Sequence, residues 1–324
     1  MTSAHSNPIY HNEDAARAHL EKLHWPEGPV CPHCGVVDEA TLMSGGSHRP
    51  GLYNCRACRE PFTVTIGTVF EGSKIPLHKW VYAAHLMASS KKGISAAQLQ
   101  RMLDLGSYRT AWFMAMRLRE AMREDHSGPM GGGGGIVEAD ETYYGKVGKE
   151  NERTTRTDGT PFKGSKRGRG PSNKRAVIAL VERGGKARMF HVGSATKETV
   201  ARIVRENVAP DTRLHTDESR LYKGSDRAFL SHETVIHSAG EYARGDVHTN
   251  SAEGFFGVFK KGMKGVYQHC GEKYLARYLD EFSFRHNTRV KLGFSDGDRA
   301  AIALIGAKGK RLALRQPKGV RAPA

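Results

Sequence analysis

Nowhere does the chain run to about 18 consecutive apolar residues, the length a membrane-spanning helix needs. Its first 20 residues carry His5, His11, Glu13 and Asp14 and lack the apolar centre of a secretory leader. No segment resembles an amphipathic membrane anchor. Acidic residues are in deficit, 34 Asp and Glu against 50 Lys and Arg, for a formal net charge of +16. Cysteine is sparse, at five in 324 residues. These shortages point to a cytoplasmic chain with reduced thiols and no membrane partner. The positive excess points to a polyanion, because each neutralised phosphate releases counterions and so drives binding. A hydrophobic content of 38% is ample for folded cores. The length allows two or three domains of about 100–200 residues each.

Four of the five cysteines form one pattern: Cys31-x2-Cys34, a gap of 20 residues, then Cys55-x2-Cys58. Two such knuckles are a signature of a tetrahedral structural Zn²⁺ site. His33 and His48 read as surface residues and Cys270 as an ordinary thiol. Ala15, Ala18, Leu20, Leu23 and Trp25 have helical spacing, while Tyr53, Phe62, Val64, Ile66 and Val69 read as short strands. Residues 12–70 are therefore expected to form a helix plus a zinc ribbon, too small to be stable without its metal.

Residues 74–126 read as helical. Trp80, Val81, Ala84, Leu86 and Met87 follow Pro76 at core spacing, and Ile94–Leu103 leads through a turn at Leu105-Gly106-Ser107 into a second, basic helix. Two short helices about a turn suggest a helix-turn-helix, with Arg109 and Arg117 placed to meet DNA; a plain helical hairpin is the alternative. Pro129 and Gly131–Gly135 read as a flexible boundary.

Beyond it, strands are expected at Ile136–Tyr144, Ala176–Glu182, Ala187–Val192, Arg213–Thr216 and Glu233–His237. An amphipathic helix capped by Thr196 precedes the fourth strand, and helices at about 251–263 and 272–288 close the domain. That order predicts an α/β domain over 136–290, a mixed sheet covered by helices. A basic insertion, 145–175, holds ten Lys or Arg, among them Lys166, Arg167 and Arg169, against Glu150, Glu152 and Asp158. It cannot pack a core and is expected to contact a phosphate backbone. The tail 306–324 carries six basic residues and no acid, and disorder is expected there.

Three acidic stretches lie at Ile136–Tyr144, Arg213–Ser219 and His248–Phe256. The first two read as strands ending in a carboxylate, and the third as a helix with Glu253 near its start. Mg²⁺ is a hard octahedral ion that takes a few carboxylates plus water and phosphate. Two such ions about 4 Å apart clamp the attacking and leaving oxygens of a phosphodiester.

Zinc ribbon, helical pair and sheet domain together resemble the bacterial insertion-sequence transposases that place a zinc ribbon ahead of a DDE-type, ribonuclease-H-like catalytic domain. The resemblance runs from about residue 13 to about residue 290. It is carried by Cys31-Pro32-His33-Cys34-Gly35, Thr65–Phe70 with Lys79-Trp80, Val137–Tyr143, His248–Phe256, Tyr278–Phe282 and Arg285-His286-Asn287. It implies that Asp140 and Asp217 ligate catalytic Mg²⁺ or Mn²⁺, with Asn250 or Glu253 as the third member. Charge favours Glu253, since a carboxylate binds a hard cation better than an amide oxygen. Lys260, seven residues beyond Glu253, implies a hold on the DNA backbone, with Lys261 as the alternative. The partners implied are double-stranded DNA of the terminal repeats and the target, and a homo-oligomer on that DNA. A regulator built from ribbon and helix-turn-helix without catalysis, or a structure-selective nuclease, are the other readings.

Overall fold

A computed structural model of the chain describes residues 6–126, 128–146, 174–225 and 227–313. In chain order its first elements are α1 (Glu13–His24), β1 (Ala40–Leu42), β2 (Tyr53–Cys55), β3 (Pro61–Phe62), α2 (Leu77–Ser89), α3 (Ala96–Met102) and α4 (Tyr108–Met122). Then come β4 (Ile136–Lys146), β5 (Lys174–Glu182), β6 (Ala187–Val192), α5 (Lys197–Asn207), β7 (Arg213–Asp217), β8 (Ser231–Val235), α6 (Asn250–Gly262), α7 (Leu275–Asn287) and α8 (Asp296–Ile305). The chain divides into two compact units: residues up to Glu124 together with those from Thr288 on, and Asp125–Asn287 between them. No described helix is long and apolar enough to cross a membrane.

In the first unit, Asn12 caps α1 by accepting from the Ala15 amide at 2.9 Å, and Ala16 and Leu20 turn inward. The strands β1, β2 and β3 form an antiparallel ribbon. Its fully buried core is Cys31, Cys55 and Phe62, with Trp25 and Tyr53 packed on Phe62. So few apolar side chains leave much of the ribbon's stability to whatever its thiols hold.

Val64, Ile66 and Val69 do not continue as strands. Hydroxyls compete for the backbone there: Thr68 Oγ1 donates to the Thr65 carbonyl at 2.6 Å and accepts from the Phe70 amide at 3.1 Å, and the segment coils into turns. Val64 and Val69 are buried all the same.

Ser95 and Ser107 cap α3 and α4, each accepting from the amide three residues on. The residue that turns the chain between them in left-handed conformation is Asp104 (φ 47°), not Gly106. The helix α8, which the sequence did not announce, starts in a capping box of Ser295 and Asp298. It packs on α1, α2 and α4, and its Leu304 carbonyl meets His24 Nε2 at 2.9 Å. The expected basic tail starts later than Gly306: Ala307 is fully buried, its carbonyl accepts from the Val69 amide, and the Gly309 amide donates to Gly67. Residues 314–324 lie outside the described residues.

The second unit is a five-stranded mixed sheet in the order β6-β5-β4-β7-β8. Antiparallel pairing joins β6 to β5 and β5 to β4, and parallel pairing joins β4 to β7 and β7 to β8. Every residue of β5 from Arg175 to Val181 is buried, as a strand covered on both faces must be. On one face, Val200, Ile203 and Val204 of α5 meet Val137, Ala139, Ile178 and Leu214. On the other, α6 and α7 cover β4, β5 and β6, with Phe259 edge-on to Tyr144 and Phe282. This is the ribonuclease-H-like arrangement, a mixed sheet flanked by helices.

The glycine run is no free linker. Gly132 donates to Thr212 Oγ1 at 2.9 Å, and Gly133 to Asp211 Oδ2 at 2.6 Å. Gly131 sits at φ 75° with no room for a Cβ beside Thr212, so only glycine follows this path. The last strand begins at Ser231 and ends at Val235, two residues before the expected end, and His237 lies in a short 3-10 turn.

Candidate active site

Strand register brings the two aspartates together. Glu138 on β4 pairs with His215 on the parallel β7. Two residues beyond this last pair on each strand stand Asp140 and Asp217, near enough for the Asp217 carboxylate to raise that of Asp140. Alternation puts both on the face covered by α6, because Val137, Ala139 and Leu214 point into the α5 side. Glu253 lies in the first turn of α6.

Charge at this point is unbalanced. Burial, then Glu141, Asp217 and Glu253, push the Asp140 carboxyl up to about 7 although its Oδ1 accepts from the Glu141 amide at 2.8 Å. Burial raises Asp217 as well, against an amide from Ser219 at 3.0 Å. Among the described residues no Lys or Arg pairs with Asp140 or Asp217. Hard oxygen donors gathered without a cation suit Mg²⁺ or Mn²⁺, so the residues present fit such ions. They are not drawn into a cage: among the described residues only the four cysteines have ligand atoms all within 4.8 Å of one another.

Asn250 is the first residue of α6 and is exposed. Lys260 is exposed on the same helix, its Nζ 6.0 Å from the centre of the Phe256 ring. Lys166, Arg167 and Arg169 lie outside the described residues.

Three groups near the aspartates escaped the sequence. His237 approaches Glu253, with Nε2 3.5 Å from Oε1; nothing distinguishes it from an ordinary residue after a strand. Glu141 accepts from Ser219 Oγ at 3.1 Å, and burial followed by Asp217 raises its carboxyl. Glu138 is fully buried beneath the start of α6. Its signal was available: an acid at an inward position of a central strand must be paired.

In the first unit the two arginines of the helical pair part company. Arg109 is exposed beside the exposed Tyr108 at the start of α4. Arg117 is half-buried over the Phe113 ring and donates to the carbonyls of Glu71 and Leu312, both at 3.3 Å, so it braces the unit instead of facing outward.

The four thiols Cys31, Cys34, Cys55 and Cys58 converge on one point. Cys31 and Cys58 sulfurs are 3.7 Å apart, and Cys34 and Cys55 sulfurs 3.6 Å. A sulfur tetrahedron with Zn–S of about 2.3 Å has edges of about 3.8 Å. The Cys58 amide donates to Cys55 Sγ at 3.5 Å, so the backbone turns toward the cluster as it does around a metal-bound sulfur. The arrangement supports a structural zinc.

Comparison with known proteins finds a match for each unit's main domain. Residues 133–287 match the ISXO2-like transposase domain, and residues 11–60 match the transposase zinc-ribbon domain. The chain is 29% identical over 282 residues, 85% of its length, to an uncharacterized protein in transposable element ISH50 of Halobacterium salinarum, 90% of which is covered. The chain therefore belongs to the insertion-sequence transposases that join a zinc ribbon to an ISXO2-like, DDE-type transposase domain.

Proposed function

We propose that the chain cuts DNA at the ends of its own element and joins those ends to a target. The observation that carries this reading is the pair Asp140 and Asp217 on neighbouring parallel strands, close enough to act on one another and uncompensated by any described Lys or Arg, with Glu253 close enough to act on Asp140. Asp140, Asp217 and Glu253 would hold two Mg²⁺ or Mn²⁺ ions. When bound, such ions supply Lewis-acid polarisation of the phosphodiester and activation of the attacking oxygen.

The protein's own residues position and hold. Asp140 and Asp217 fix one side of the site from rigid strands, and Glu253 fixes the other from α6. Hydrolysis of the phosphodiester at the element end leaves a 3′-hydroxyl. That hydroxyl then attacks a target phosphodiester in line, one P–O bond forming as another breaks, with no enzyme-linked intermediate. Lys260 and the basic residues between β4 and β5 hold backbone phosphates, and Arg109 with the exposed start of α4 takes part in recognising the terminal repeats. Arg175, expected with those residues, is instead buried in β5 and donates to the Cys270 carbonyl. Zn²⁺ on the four cysteines folds the ribbon. Joining two ends to one target calls for more than one copy of the chain on the DNA.

The test is Mg²⁺-dependent nicking of a labelled duplex taken from the DNA flanking the chain's own gene. Asp140→Asn and Asp217→Asn should each abolish nicking and leave binding to that duplex unchanged. Binding with no nicking by the parent protein makes the chain a regulator; cleavage of junctions in preference to its own ends makes it a structure-selective nuclease.

A further inference from the structure

The helix that brings Glu253 to the aspartates does not cap itself. Thr249 precedes α6 and makes no side-chain capping bond. The first-turn amides of Ser251 and Ala252 donate instead to Glu138 Oε2, at 2.7 and 3.1 Å, and Ser251 Oγ donates to Oε1 at 2.9 Å. Glu138 thus reaches across from β4 to satisfy the free N–H groups that every helix start exposes.

Its other oxygen is held from the side. Arg183 Nη2 and Nε donate to Glu138 Oε1 at 2.7 and 3.1 Å, and His248 Nδ1 stands 3.3 Å away. The same guanidinium donates to the carbonyls of Asp246 and His248, at 2.6 and 3.3 Å, which fixes the chain as it enters α6. A fully buried carboxylate is tolerated only with such complete partnering.

We infer that Glu138 is a positioning residue that sets the distance between Glu253 and the aspartates Asp140, in mid-strand on β4, and Asp217, at the end of β7; this rests on the reading of Asp140, Asp217 and Glu253 as the metal-holding set. Glu138 and Asp140 are neighbours on one face of β4, about 7 Å apart along the strand. At the far side of the clamp, Glu253 follows Ala252 directly, in the same first turn of α6. One side chain therefore couples two rigid elements at the point where each delivers a carboxylate.

The experiment uses the full-length chain and its Glu138→Ala and Glu138→Gln variants, with Asp140→Asn as control. In metal-free protein, hydrogen exchange should quicken over residues 250–256 of Glu138→Ala and stay as in the parent over β5 and α5. In the nicking assay the half-saturating Mn²⁺ concentration should rise by about 10–100-fold at unchanged DNA affinity, and high Mn²⁺ should recover the rate. Glu138→Gln, which keeps the shape and one acceptor oxygen, should fall between parent and Ala, and it carries both measurements should the alanine variant not fold. Unchanged exchange in α6, exchange raised evenly through the catalytic unit, or a rate loss that Mn²⁺ does not recover each overturns the clamp. Nicking by Asp140→Asn at the parent rate overturns the active-site reading instead, and exchange in α6 still judges the clamp by itself.

Discussion

Asp140 has a carboxyl near 7 where an ordinary aspartate has 3.8, because it is buried among Glu141, Asp217 and Glu253. Between those values the folded, metal-free chain keeps a proton that the unfolded chain has released. Stability from this position is therefore present at low pH and declines as pH rises from about 4 to about 7. Denaturant titration of the metal-free protein across that window should show the decline, and Asp140→Asn should flatten it. Mg²⁺ added at the alkaline end should restore stability, since the cation binds the deprotonated site. An unaltered slope in Asp140→Asn would assign the titration to another group. Glu253 and Asn250 separate at the same scale. Glu253 bears on Asp140 electrostatically, whereas Asn250 is an exposed helix-start residue. At matched DNA occupancy, Glu253→Gln should lower the nicking rate by about 100-fold or more, and Asn250→Ala should be milder. The reverse ordering would make Asn250 the third ligand.

Among the elements, the ribbon should depend most on a bound metal, because only Cys31, Cys55 and Phe62 are fully buried in its cluster. Purified protein should carry about one Zn²⁺ per chain. Cys55→Ser should lose it and unfold the segment before residue 70, read as lost circular dichroism and new protease cleavage confined there. Retained zinc and an intact ribbon would contradict the assignment. Elements with a strong repeat were legible in the sequence: β4, β5, β6, β7 and α5 show apolar alternation or a helical stripe, and Thr196 caps α5 as expected. The helix α8 was not, since its inward face is built of Ala300, Ala303 and Leu304, mostly small residues that leave a faint pattern. The turns at 63–70 are not legible either, because Val64, Ile66 and Val69 favour strands while threonine hydroxyls claim the backbone. In the site, the acids were legible by type and position. The role of Glu138 was not, because its partners Arg183 and Ser251 are 45 and 113 residues away along the chain.

For the molecule as a whole, the net charge of +16 is concentrated in part in the 145–175 segment. Replacing Lys166, Arg167 and Arg169 by alanine should weaken binding to duplexes of any sequence. It should also reduce the salt slope by about 0.9 for each phosphate no longer neutralised. An unchanged slope on random duplex would leave this segment out of the DNA interface. The division of the chain has another consequence, which concerns time. The ribbon-and-helix unit takes its last helix, α8, from beyond Thr288, while the catalytic unit is contiguous from Asp125 to Asn287. On the ribosome the unit begun first is thus completed last. At about 5–20 residues per second, on the order of ten seconds separates its two parts. During that interval the nascent chain can close its catalytic sheet, but α1, α2 and α4 must wait with an open face for α8.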